Sequence, residues 1–149
     1  DVLFELNLNV NTMSKRNVTD RMQADYEDEA VNPQGNVGQS DMYDAMEKKA
    51  QSPMDLLLSA VGSCASVDAV LMMRKKRKTI TDFYVEVEGN RNEGVPAFYT
   101  DIQFRFILVS PDATTEEFIK VVALSVEKYC SVVSSLKSKI SFSAEVKRP

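Results

Sequence analysis

Histidine is absent from the 149-residue sequence, and cysteine occurs only twice, at Cys64 and Cys130. Without imidazole there is no Ser-His-Asp or Cys-His nucleophile pair, no His-containing zinc site, and no side chain that ordinarily shuttles protons near neutral pH. Catalysis, if present, must use cysteine, carboxylates, lysine, arginine or tyrosine. No Cys-x-x-Cys spacing exists, and a Cys-only zinc site would need both cysteines from two chains, so no metal or resident cofactor is expected. Positive charge is also in short supply. Eighteen Lys and Arg against 22 Asp and Glu give a net charge of −4, which repels a phosphate backbone and argues against a nucleic-acid partner. Nor is there an uninterrupted membrane-length apolar run. The most apolar stretch, 56–73, is broken by Ser59, Ser63, Ser66 and Asp68 and reads as a buried helix of a soluble protein, with no membrane partner. No basic region followed by an apolar run marks a leader at Asp1, so a cytoplasmic location is the expectation.

What is present is ordinary globular material, 44% hydrophobic and 27% charged, long enough to bury a core in one domain. We expect a single domain over 1–149, with N-terminal strands and a long loop in 1–51 and the core in 52–147. Val2, Phe4, Leu6, Leu8 and Val10 alternate with polar neighbours, and a weaker alternation sets Met22, Ala24 and Tyr26 against Arg21, Gln23 and Asp25. These predict two strands joined by a turn. Residues 27–51 hold Pro33, Gly35 and Gly38 without a sustained period, as in a mobile or functional excursion.

Ser52-Pro53-Met54-Asp55 has the form of a helix start, and a long helix to about Lys76 follows, closed by the basic run Arg74 to Lys78,. Its apolar residues surround the axis, which predicts cover on more than one side. Phe83, Val85 and Val87, then Ile102, Phe104, Phe106 and Leu108, alternate as two strands of a hairpin. Thr114 to Glu117 forms a capping box, and Phe118, Val121, Val122, Ser125, Val126 and Tyr129 follow at helical spacing,. The pattern loosens at Cys130. A short helical piece around Val132 to Leu136 precedes a last strand through Ile140, Phe142, Ala144 and Val146. The order is ββ-α-ββ-α-β, an α+β fold.

Cys64 follows Gly62 and Ser63 in the long helix, where a glycine costs about 1 kcal/mol relative to alanine and implies a close neighbour. The thiol is expected to face whatever fills the hollow at Gly62. Cys130 precedes a short helix whose N–H groups are expected to lower its pKa. Either cysteine alone is explained as a small buried apolar side chain. Together they form a dithiol able to cycle with a disulfide, provided the fold brings them into contact.

The segments Ser52-Pro53-Met54-Asp55-Leu56-Leu57-Leu58, Gly62-Ser63-Cys64 and Asp68-Ala69-Val70, followed by Glu127-Lys128-Tyr129-Cys130-Ser131-Val132, resemble the two cysteine motifs of the osmotically induced protein C and organic hydroperoxide resistance family (OsmC/Ohr), in its YhfA-like branch. The resemblance runs from Ser52 to Val146. It implies an intertwined homodimer in which two sheets enclose the long central helices, with both cysteines in an apolar pocket. By the same resemblance Cys64 attacks an organic hydroperoxide, Cys130 resolves the sulfenic acid as a disulfide, and an external dithiol of the lipoyl type reduces it.

The sequence departs from the family at two places. Met54 follows Pro53 where peroxidases of the family carry Glu, leaving Asp55 as the nearby acid, and the family's N-terminal Arg has two counterparts, Arg16 and Arg21. At a pKa near 8.5 only about 3% of a thiol is ionised at pH 7, so a peroxidatic cysteine needs a cation or oriented donors beside it. Asp68, one turn after Cys64, opposes a thiolate when ionised. Two functions are therefore open: a thiol-dependent peroxidase, and a small-molecule-binding protein that keeps the apolar pocket.

Overall fold

The computed structural model describes residues 15–149. The strand expected over Val2–Val10 lies outside these residues. The chain clusters into two compact units, Asp1–Met54 and Asp55–Pro149, with the boundary in the first turn of the long helix.

In the first unit β1 (Thr19–Ala24), β2 (Glu27–Val31) and β3 (Val37–Asp41) form an antiparallel sheet in that order. Segment 27–51 is thus not a structureless excursion: it supplies two strands and a loop. EDEAV and VGQSD carry polar residues on both faces, so backbone pairing holds them rather than an apolar face, and no period shows. Their turn is fixed by the Asn32 side-chain carbonyl, which accepts the Asn36 N–H at 2.8 Å, and by Gly35 at φ 85°. The loop after β3 is tied to buried Asp41, whose carboxylate accepts Lys48 Nζ, Lys49 N and Ala50 N at 2.7 Å each. The lysine ammonium, with these backbone donors, holds the Asp41 pKa down at about 2.

The second unit has the expected sequence of elements: α1 (Pro53–Lys75), β4 (Asp82–Arg91), β5 (Tyr99–Val109), α2 (Thr115–Leu124), one wide π-type turn (Ser125–Tyr129), α3 (Ser131–Ser134) and β6 (Lys139–Lys147). β4 and β5 are the expected hairpin. β6 pairs parallel to β5, so the connection between them is a crossover, and it carries the π turn and Cys130. In register, Val87, Phe104 and Phe142 form one cross-strand row, Val85, Phe106 and Ala144 the next, and Phe83, Leu108 and Val146 a third. This apolar face receives the helices. Phe118 of α2, fully buried, meets Phe83 edge-on at 6.1 Å; a buried side chain of this size stabilises by about 2–3 kcal/mol. On the opposite face Arg105 bridges Glu86 at 3.2 Å and Glu145 at 2.8 Å.

Helix α1 begins at Pro53, as the start signal predicts, and keeps Asp55 in its first turn and Arg74 and Lys75 in its last, where each charge complements the helix dipole. It ends with Lys78 N–H bonded to the Met73 carbonyl and Arg77 N–H to that of Arg74. Arg77 takes the left-handed conformation, φ 60°, that such an ending requires. Val61, Gly62, Ala65, Ala69 and Met73 make up its buried stripe. Leu57, Val67 and Leu71 remain exposed, at 36%, 56% and 56%, so among the described residues the cover expected on more than one side of the helix does not extend to these three. α1 is long and apolar enough to cross a membrane by length and composition, yet here it serves as the core helix on the β4–β5–β6 sheet.

Candidate functional site

At Gly62 α1 comes close to the sheet. A Cβ built there would lie 3.0 Å from Val87 Cγ2 and 3.5 Å from Val85 Cγ1, so the close neighbour implied by the sequence is β4. The thiol of Cys64 does not share that direction. Two residues further along an α-helix turn the side chain about 200°, and the groove beside Gly62, about 440 Å³ and lined by Leu58, Ser59, Ser63, Ser66, Val85 and Val87 among others, includes neither cysteine. Cys64 points instead to the crossover segment, where it interacts with Cys130.

Two hydrogen bonds place Cys130. Its N–H donates to the Ser125 carbonyl at 2.9 Å, closing the π-type turn, and the Ser125 hydroxyl donates to the Ala65 carbonyl of α1 at 2.6 Å. The wide turn explains the loosened periodicity. Helical spacing puts Tyr129 in the buried stripe, but Tyr129 is 51% exposed and Cys130 is 1% exposed, because the π turn adds one residue before the chain returns inward.

Both cysteines are free thiols, Cys64 half-buried and Cys130 buried. Cys130 Sγ accepts the Val133 N–H at 3.4 Å at the start of α3. This is the donor expected to lower its pKa, but burial outweighs it: burial raises the Cys130 pKa above its ordinary 9.0, the Val133 N–H opposes, and neighbouring Cys64 raises it further. Cys130 therefore stays protonated at neutral pH, and Cys64 is the more exposed of the two residues.

Of the remaining candidates, half-buried Asp68 stands one turn after Cys64 on α1. Asp55, in the first turn, acts electrostatically on buried Tyr99, whose pKa is raised by burial first and by that carboxylate second. Arg21 lies in β1 opposite Glu29, and exposed Arg16 precedes that strand; both belong to the first unit, whereas the cysteines belong to the second. Among the described residues no group of three or more Cys, Asp or Glu side chains is arranged to hold a metal ion. Ser125 was not singled out by the sequence, although a hydroxyl inside an apolar stripe is a signal of a buried polar contact.

The sequence matches the family model described as OsmC-like protein over residues 46–145. It is 36% identical to Protein YhfA of Escherichia coli over 93 residues, 62% of this chain and 69% of that protein. Among solved structures it resembles a hypothetical protein from Aquifex aeolicus, with a TM-score of 0.81 and 27% identity over 92% of this chain and 99% of the other. It also resembles the organic hydroperoxide resistance protein OhrB of Bacillus subtilis, with a TM-score of 0.60 and 15% identity over 91% and 99% of the two chains, a likeness of fold alone.

Proposed function

The chain belongs to the OsmC-like family, and on that premise we propose that it is a thiol-dependent peroxidase reducing organic hydroperoxides through Cys64 and Cys130. The observation that carries the reading is that the chain's two cysteines are neighbours, close enough for Cys64 to raise the Cys130 pKa, which unites two distant motifs in one dithiol. Cys64 thiolate attacks the outer peroxide oxygen, the O–O bond breaks, and the alkoxide leaves and is protonated to the alcohol, leaving a sulfenic acid. The Cys130 sulfur then displaces water from that sulfenic acid to form the disulfide, before irreversible overoxidation. An external dithiol, of the lipoyl type, takes up the disulfide and restores both thiols.

The roles follow from accessibility and ionisation. Cys130 is 1% exposed and kept protonated by burial, a poor first nucleophile but well placed for a sulfenic acid beside it. The exposed apolar residues of α1, Leu57, Val67 and Leu71, favour a homodimer in which a second copy covers this face; light scattering that finds a stable folded monomer at micromolar concentration refutes that arrangement. The chain then works as one cytoplasmic OsmC-like domain without a resident cofactor.

The test is consumption of cumene hydroperoxide by native protein with a dithiol reductant, compared with Cys64→Ser. Native protein should turn over and form a Cys64–Cys130 disulfide, Cys130→Ser should stop at oxidised Cys64, and Cys64→Ser should be inactive. A native protein that consumes no hydroperoxide refutes the enzyme reading in favour of a small-molecule-binding protein, a reading that Met54 in the family's Glu position supports.

A further inference from the structure

We infer that Ser125 is the positioning residue of the thiol pair, the group that holds Cys130 in register with Cys64. The inference rests on the reading of the two thiols as a redox pair. Ser125 is fully buried and lies in a stripe whose other members, Phe118, Val121, Val122 and Val126, are apolar. A serine within a helix ordinarily bonds back to the carbonyl one turn earlier. This one reaches across to α1, donating to the Ala65 carbonyl at 2.6 Å, while its own carbonyl accepts the Cys130 N–H at 2.9 Å. Ala65 is joined to Cys64 by a peptide bond. Two hydrogen bonds through one residue thus link the backbone at one thiol to the backbone at the other.

The alternative account, that the hydroxyl merely satisfies an orphan acceptor, fails at Ala65. Its carbonyl lies in the middle of α1 (Pro53–Lys75), where helical geometry already supplies an N–H four residues on. Removing the Ser125 hydroxyl leaves no carbonyl unpartnered, so its consequence falls on alignment. The wide turn makes alignment costly to lose: π-type turns are rare single-turn features, and here one sets which of Tyr129 and Cys130 faces inward. Untethered from α1, the turn is free to slide along the helix, and the thiols spend less time within bonding distance.

The experiment measures how readily the pair closes, with full-length protein equilibrated at pH 7 in mixtures of reduced and oxidised dithiothreitol. In this exchange the two thiols lose two electrons and two protons to form one S–S bond, and the reagent's disulfide opens to its dithiol. Acid quenching and mass spectrometry give the equilibrium constant. Ser125→Ala should lower it about tenfold, equivalent to about 30 mV for a two-electron couple, and Ser125→Thr, which keeps the hydroxyl, should move it back toward native. Thr114→Ala, which removes the N-cap of α2, supplies a destabilised control expected to stay within twofold of native. A Ser125→Ala constant within twofold of native, or an equal shift in Thr114→Ala, overturns the inference, and that comparison decides if the threonine variant does not fold. Native protein that closes in this buffer but not with cumene hydroperoxide refutes the peroxidase reading and leaves the positioning role standing; native protein that does not close in either overturns both.

Discussion

Gly89→Ala tests how tightly the ring of Tyr99 is held between β4 and α1. A Cβ at Gly89 would stand 2.6 Å from Tyr99 Cδ1, 2.7 Å from Cε1 and 3.1 Å from Leu58 Cδ2, whereas carbon atoms rest about 3.5–4.0 Å apart. The ring must therefore retreat by roughly 1 Å. It has little room, since Tyr99 is 7% exposed and its carbonyl is fixed by the Ser138 hydroxyl at 2.7 Å. Overpacking of this kind costs about 1–3 kcal/mol, and replacing glycine in a strand returns roughly 0.5–1 kcal/mol. Because the ring has so little room, the overpacking cost falls in the upper part of that range, about 2–3 kcal/mol, and the net loss of about 1–2.5 kcal/mol lowers Tm by roughly 2–10 °C for a chain of this length. Thermal unfolding followed by circular dichroism at fixed protein concentration measures it. In a Tyr99→Leu background, where the ring is gone, the same change should be neutral or stabilising, a coupling of about 1 kcal/mol or more. Equal Tm values for native and Gly89→Ala, or the same loss in both backgrounds, would refute the reasoning.

Arg77→Gly should stabilise by roughly 0.5–1 kcal/mol and raise Tm by about 1–4 °C, because glycine adopts the left-handed conformation observed at φ 60° without side-chain strain, less a small loss of charge at the helix end; a lower Tm contradicts this. The depressed pKa of Asp41, about 2 against an ordinary 3.8, makes its contribution to stability full above about pH 4 and lost as pH falls through about 2. Asp41→Asn should accordingly speed amide exchange at Lys49 and Ala50 at neutral pH, and unchanged exchange there would show that the carboxylate does not hold the loop. Cys130 has the opposite sign: its folded pKa lies above 9.0, so its contribution is present below about pH 9 and lost as pH rises through the higher folded value. Its alkylation by iodoacetamide below pH 9 should be slower in native protein than in urea, and equal rates would refute the burial argument.

The parts legible in the sequence were those in which local chemistry and tertiary packing agree. Ser52-Pro53 marked the start of α1. Thr114 and Glu117 formed the expected capping box, with the Glu117 N–H donating to Thr114 Oγ1 at 3.2 Å and the Thr114 N–H to Glu117 at 3.0 Å. The period-2 rows of β4 and β5 gave the hairpin. β2 and β3 were hidden because a sheet polar on both faces leaves no hydrophobic period. The direction of Cys64 differs from the sequence expectation because a glycine two residues away reports the opposite side of the helix, and the inward turn of Cys130 is hidden because helical spacing assumes a constant number of residues per turn. The pKa of Cys130 turned on a competition, one N–H against full burial, that a linear pattern does not rank.

The parallel pairing of β6 with β5 has a kinetic consequence. The β4–β5 hairpin closes through its own connection, an event on the scale of about 1–10 μs for hairpins. β6 has no such local route: it finds β5 only after the crossover that bears α2, the π turn and Cys130 has folded back, and loop-closure entropy is spent before those contacts form. Because α2 packs against β6, docking of the last strand and enclosure of the second sulfur belong to one late event. During refolding, protection of Cys130 from a thiol reagent should rise together with β6 docking and lag behind the β4–β5 hairpin, so the buried sulfur serves as an internal clock for completion of the sheet.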